Sequence, residues 1–131
     1  MDRDKRKPPA PTDGELEILQ VLWETGPTTV REVYERLSER KALVYTTVLK
    51  LMQIMTEKRL VKRDERQRAH VYSANVERGD TEQQVVGDLL SRFFQGSAKQ
   101  LVMRALAAGK TSREERDEIQ RMLDQISRGG K

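Results

Sequence analysis

Apolar residues recur at helical spacing in three stretches, give way to a short region of period two, and then return to helical spacing. In the first stretch Leu16, Leu19, Leu22 and Trp23 form a stripe with Ile18 flanking it. Thr12-Asp13-Gly14-Glu15 ahead of it fits a capping box, in which Thr12 and Glu15 each satisfy an orphan backbone N–H. Gly26-Pro27 ends this helix. A second box, Thr29 to Glu32, opens a helix of about ten residues with Val30, Val33, Tyr34 and Leu37 on one side. Residues 36–41 form a polar, basic connection. The third stretch, residues 43–60, has two faces. Val44, Val48, Leu51 and Met55 fall at i, i+4, i+7 and i+11 and predict a buried stripe. Thr46, Lys50, Gln53 and Glu57 share another side, with Thr47 beside Thr46.

Beyond this helix the period changes. Residues 60–63 and 69–73 have β character and are joined by Asp64-Glu65-Arg66-Gln67-Arg68, which predicts a hairpin with a charged tip. From residue 76 helical spacing resumes. Val85, Val86, Leu89, Leu90, Phe93 and Phe94 make one broad face, broken at Gly96. Ser97 with Gln100 caps a helix carrying Leu101, Val102, Ala105 and Leu106, which Gly109 ends. Ser112 and Glu115 form a further capping box before Ile119, Met122, Leu123 and Ile126.

The order helix, helix, helix, hairpin is that of a winged helix-turn-helix, whose third helix enters a DNA major groove while the hairpin flanks it. The expected fold is mainly α with a small β-hairpin. A disordered arm (1–11), charged and rich in proline, precedes a winged-helix DNA-binding domain (12–75). A three-helix dimerisation tail (76–128) and a disordered end (129–131) follow. Roughly 50 residues of helix seldom bury enough core to stand alone. The tail is therefore expected to pair with a second copy through Val86, Leu89, Leu90, Phe93, Leu101, Leu106, Ile119, Met122, Leu123 and Ile126; folding back on its own winged helix is the alternative.

Charge sharpens the picture. Net charge is only +4, but residues 36–76 hold 10 Lys/Arg against 4 Asp/Glu, while 1–35 hold 5 against 8 and 77–131 hold 10 against 9. A local basic band is the footprint of a polyanion partner. Small donors and acceptors at Thr46, Thr47, Lys50 and Gln53 suit base edges or the groove, and Arg63, Arg66 and Arg68 suit phosphates or the minor groove. Lys41, Lys58 and Lys62 are further cations near them. Thr29, at a helix N-terminus, suits a phosphate. The alternative for each is a solvated surface residue. For the whole chain it is a winged-helix protein-interaction module that binds no DNA.

Enzymatic and metal chemistry find no foothold. The chain has no cysteine and one histidine, His70, which reads as a wing-strand residue, and no nucleophile–base–orienter set is visible. No catalytic residue, metal or cofactor is expected. Trp23 and Tyr72 read as core anchors. No apolar run approaches a membrane span and no signal peptide opens the chain, so the expected location is the cytoplasm.

The chain resembles the penicillinase-repressor (BlaI/MecI) and CopY family of winged-helix transcriptional repressors. The resemblance rests on GELEILQVLW at 14–23, TVREVYERL at 29–37, YTTV at 45–48, Glu57-Lys58 with Leu60, and RAHVYSA at 68–74. It implies a homodimer on a palindromic DNA operator, with Tyr45 among the contacting residues at the start of the third helix. In the antibiotic-responsive branch it also implies a membrane-bound sensor metalloprotease that cuts the tail and releases the DNA. The cysteine motif of the copper-responsive branch is absent, as is the Asn-Phe cleavage step, whose place falls at Arg104–Ala105. Lys50 stands where the family usually has Thr, Ile54 where it has Arg, and Leu43 where it has Trp. Arg59 replaces a Gly that would ease a left-handed turn.

Overall fold

Thr12 caps the first helix as the sequence predicts. In the computed structural model, which describes residues 8–129, its hydroxyl accepts from the Glu15 N–H (3.3 Å) and the Glu15 carboxylate accepts from the Thr12 N–H (3.0 Å). Residues 1–7 of the expected arm and 130–131 of the expected end lie outside the described residues. Pro8 accepts a hydrogen bond from Gln84 Nε2 through its carbonyl (3.0 Å).

In chain order the elements are α1 (Asp13–Thr25), β1 (Thr28–Thr29), α2 (Val30–Ser38), α3 (Tyr45–Glu57), β2 (Val61–Asp64), β3 (Val71–Ala74), α4 (Arg78–Phe93), α5 (Ala98–Ala108) and α6 (Arg113–Arg128). The chain divides into two compact units, Met1–Asp88 and Leu89–Lys131, with the division falling inside α4.

The first unit carries the core. Ile18, Leu19, Val21 and Leu22 of α1, Val30, Val33 and Leu37 of α2, and Val48, Met52 and Met55 of α3 are buried together with Leu60, Val61 and Tyr72. Several expected positions move. Ile18 and Val21 are central to the α1 face, while Leu16 and Trp23 are only half-buried at its edge. Tyr34 is likewise half-buried. On α3 the buried stripe is Val48, Met52, Met55 and not a stripe beginning at Val44. The helix starts at Tyr45, so Val44 is its N-cap in extended backbone and stays 63% exposed. A helical period drawn through a residue that precedes the helix predicts nothing about its direction.

The wing is a three-stranded antiparallel sheet in the order β1-β3-β2, not a bare hairpin. β2 pairs with β3 from Val61↔Ala74 to Asp64↔Val71, and β1 adds Thr28↔Tyr72 and Thr29↔Val71 on the other edge. The extra strand covers an edge that a two-stranded ribbon would leave unpaired. Leu60, Ala69 and His70 lie outside the strands, and His70 is an exposed residue just before β3.

The end of α3 is a Schellman motif. Leu60 N–H donates to the Met55 carbonyl (2.9 Å) and Arg59 N–H to that of Thr56 (3.1 Å). The residue between helix and strand must then adopt left-handed backbone, and Arg59 does so with φ 66°. Asn75 braces the turn, donating through Nδ2 to the Arg59 carbonyl (2.9 Å) and through its N–H to that of Leu60 (2.9 Å).

Trp23 anchors the segment after β3. Its indole Nε1 donates to the Val76 carbonyl (3.0 Å), and the Arg78 guanidinium lies over its ring at 5.4 Å. In α5 and α6 no residue is buried, and in α4 only Thr81 is. The expected caps are present, since Ser97 accepts from Gln100 N–H (3.2 Å) and Ser112 from Glu115 N–H (3.0 Å). At Thr29 and Ser112, however, only the hydroxyl half of the box is recorded; Glu32 pairs instead with Arg36 one turn on, at 2.9 Å.

Candidate nucleic-acid interface

The α2–α3 pair turns one polar surface outward. Val48, Met52 and Met55 face the core, which puts Thr46, Thr47, Lys50 and Gln53 on the opposite side of α3, all exposed. Tyr45, the first residue of α3, is half-buried. Its ring meets that of Tyr34 from α2 edge-on, with centroids 5.6 Å apart and planes at 78°. That contact fixes the start of α3 against α2.

The basic side chains near this face fall into two groups. The first is held by carboxylates. Lys58 reaches Glu15 (2.8 Å), Lys41 reaches Glu17 (3.0 Å), and Arg63 reaches Glu65 (2.6 Å). The side chain of Tyr72, opposite Arg63 across the β2–β3 ladder, helps to hold the Arg63 guanidinium in its charged form. Arg66 forks onto Asp64, with Nε–Oδ1 at 3.0 Å and Nη2–Oδ2 at 2.7 Å. The Arg66 side chain and then its backbone N–H pull the Asp64 carboxyl down to about 2. Lys41 and Lys58 are thus engaged in bracing α1. Arg66 is 88% exposed, and a surface pair of that kind is weak enough to be traded for a phosphate.

The second group is Lys50, Lys62, Arg68 and Arg31, none of which forms an ion pair among the described residues. Arg31 was not among the sequence candidates. Its guanidinium lies 4.8 Å from the Tyr45 ring centroid and 5.9 Å from that of Tyr34. The available signal was local: Arg31 and Tyr34 stand at i, i+3 on one helix face. A cleft of about 290 Å³ opens between the start of α2, α3 and the wing, and Thr29, Arg31, Tyr45, Leu49, Arg68, His70 and Tyr72 are among its lining residues. The structure therefore gathers Thr29, Tyr45 and Arg68 around one cleft and places Thr46, Thr47, Lys50 and Gln53 on the exposed face of α3. The Thr29 hydroxyl accepts from Glu32 N–H at 3.2 Å, which leaves its own O–H to donate.

Glu15 and Lys58 form the most buried ion pair, with side chains 2% and 32% exposed. Burial alone would raise the Glu15 carboxyl. Hydrogen bonds from Lys58 and from the Thr12 N–H outweigh it and hold the group below its ordinary value. The pair ties the start of α1 to the end of α3.

Among the described residues no group of three His, Asp or Glu is placed to hold a metal, and no helix is long and apolar enough to cross a membrane. The apolar residues expected at a dimer contact are largely uncovered in the single chain. Phe93 is 70% exposed, Met122 61%, Leu123 53% and Ile126 70%, while Leu90, Leu101 and Ile119 are half-buried.

Comparison with known proteins adds four findings. The family described as penicillinase repressor matches residues 11–125. The penicillinase repressor of Bacillus licheniformis is 25% identical over 120 residues, covering 92% of this chain and 94% of that protein. The transcriptional regulator BlaI of Mycobacterium tuberculosis is 31% identical over 119 residues, covering 88% and 86%. Among solved structures, the Bacillus licheniformis BlaI monomeric form in complex with the blaP half-operator superposes with a TM-score of 0.50 at 26% identity. It covers 56% of this chain and 90% of that one.

Proposed function

The chain belongs to the penicillinase repressor family, and from that premise we propose that it is a sequence-specific DNA-binding transcriptional repressor, not an enzyme, acting as a homodimer on a palindromic operator. The observation that carries the reading is the uncovered face of α3 beside a cationic wing, in a chain whose relative is solved on a half-operator. In this mechanism Lys50, Arg66, Arg68 and neighbouring cations draw the protein to the phosphate backbone and release its counterions. Thr46, Thr47, Lys50 and Gln53 then meet base edges: a threonine methyl against a thymine methyl, lysine on guanine acceptors, glutamine on adenine.

The homodimer is supported by the apolar residues that α4, α5 and α6 leave exposed, Phe93, Leu106, Met122, Leu123 and Ile126 among them. Two copies of the reading helix would match a two-fold symmetric operator. A finer part of the proposal is release by a membrane-bound sensor metalloprotease that cuts the tail. Arg104–Ala105, where the family's cleavage step would fall, sits within α5 with both residues exposed, so cutting there would require that helix to open locally.

Fluorescence anisotropy of the full chain tests the main reading, with a duplex of its own promoter against a random duplex of equal length at several salt concentrations. The promoter is expected to bind more tightly, and Lys50→Ala is expected to narrow its advantage by about 1–3 kcal/mol. Equal affinity for the two duplexes at moderate salt would refute sequence-specific repression.

A further inference from the structure

We propose that Arg31 is a DNA-backbone contact, held ready on the Tyr45 ring to grip a phosphate together with Arg68 at the cleft between α2, α3 and the wing. This rests on the repressor reading above. Three observations carry it. Arg31 and Arg68 line the same cleft, from opposite ends of the domain's sequence. Neither is neutralised by a carboxylate among the described residues, whereas Arg63, Arg66, Lys41 and Lys58 all are. The Arg31 guanidinium lies over the Tyr45 ring, 4.8 Å from its centroid, and 5.9 Å from that of Tyr34.

The stack does specific physical work. A surface arginine loses about 2 kcal/mol of rotamer entropy when it is fixed. Resting the cation over an aromatic face takes some of that loss before any ligand arrives, without using up the N–H donors in a carboxylate pair. Those donors match phosphate oxygens in a forked geometry that a lysine cannot reproduce. Tyr45 is then a positioning residue: it sets Arg31 and joins α2 to the first turn of the reading helix. A phosphate gripped here would fix the register of α3 in the groove without itself reading sequence.

Salt-dependent anisotropy on the full chain tests this, using the promoter duplex and the random duplex. Arg31→Ala should weaken binding to both by about tenfold at low salt and reduce the slope of log K against log salt by about 0.9. The ratio between the duplexes should hold. Arg31→Lys should keep the slope but not the full affinity. Tyr45→Leu should lower affinity while keeping the slope, because the charge remains. A folded Arg31→Ala protein with an unchanged slope overturns the proposal, and so does a loss confined to the promoter duplex. If Arg31→Ala abolishes binding of inorganic phosphate but leaves the duplex affinity and its salt slope unchanged, the cleft serves a free anion and the DNA assignment is overturned. A wild-type chain with no promoter preference, but with the slope change intact, would sink the repressor reading and leave the phosphate contact standing.

Discussion

The two units of this chain use the same materials to opposite ends. The first buries thirteen hydrophobic residues between Ile18 and Tyr72 and ties its helices with a buried ion pair. In the second, α5 and α6 carry clean apolar spacing and proper N-caps, yet bury nothing. The difference lies in what each apolar face meets. In the first unit three helices and a sheet converge, so every stripe finds another. In the tail, Phe93, Met122, Leu123 and Ile126 remain in solvent. Amphipathic spacing makes a helix adhesive, and only topology decides whether the adhesion is spent within the chain or on a partner.

Four measurements would break or sharpen that contrast. The largest effect is expected in the first unit. Met52→Ala empties a site with 0% exposure at the centre of α3. It should cost about 2–5 kcal/mol in urea unfolding followed by far-UV circular dichroism. A loss of under about 1 kcal/mol would mean that this core repacks freely.

Next comes the tail. Phe93→Asp places a charge on an exposed apolar position and should weaken self-association by at least about 2 kcal/mol in sedimentation velocity. The unfolding of the first unit should not move. An unchanged dimer would remove Phe93 from the contact, and a drop in the first unit's stability would show that the units are less independent than their burial suggests.

Glu15→Gln should cost about 1–2 kcal/mol, because the amide brings no charge and only one acceptor oxygen to two donors, Lys58 Nζ and the Thr12 N–H. The pH dependence has a defined sign. A carboxyl held below its ordinary value of 4.5 stabilises the fold above that value, and the contribution is lost as pH falls below it. Chemical denaturation of wild type and Glu15→Gln from neutral to acidic pH should converge there; parallel curves would contradict the pairing. The smallest effect has the opposite sign. Arg59→Gly relieves left-handed backbone at φ 66° and should stabilise by up to about 1 kcal/mol, read as a raised midpoint of thermal unfolding.

Much of this was legible because it is local. Thr12, Thr29, Ser97 and Ser112 announce helix starts through chemistry that spans only three residues, and Gly96 and Gly109 announce the breaks. The exposed set Thr46, Thr47, Lys50 and Gln53 follows from one helix's period. What escaped is what requires distant segments to meet. β1 is two residues long, too short for any alternation, and exists because the β3 edge is there to receive it. Glu15 reads as a cap from its neighbours, but its second partner lies at Lys58. Arg31 gains meaning only when α2 brings it onto Tyr45. Val44 failed for a local reason: nothing in its side chain says that the helix begins one residue later.

One consequence of the Trp23 anchor is spectroscopic. The chain has a single tryptophan, and it sits where the segment after the wing passes into α4, bonded to the Val76 carbonyl and roofed by Arg78. Its emission colour and lifetime therefore report on that one joint. Breaking the indole bond or lifting the guanidinium would register in the unlabelled protein, in real time, when a DNA duplex is added.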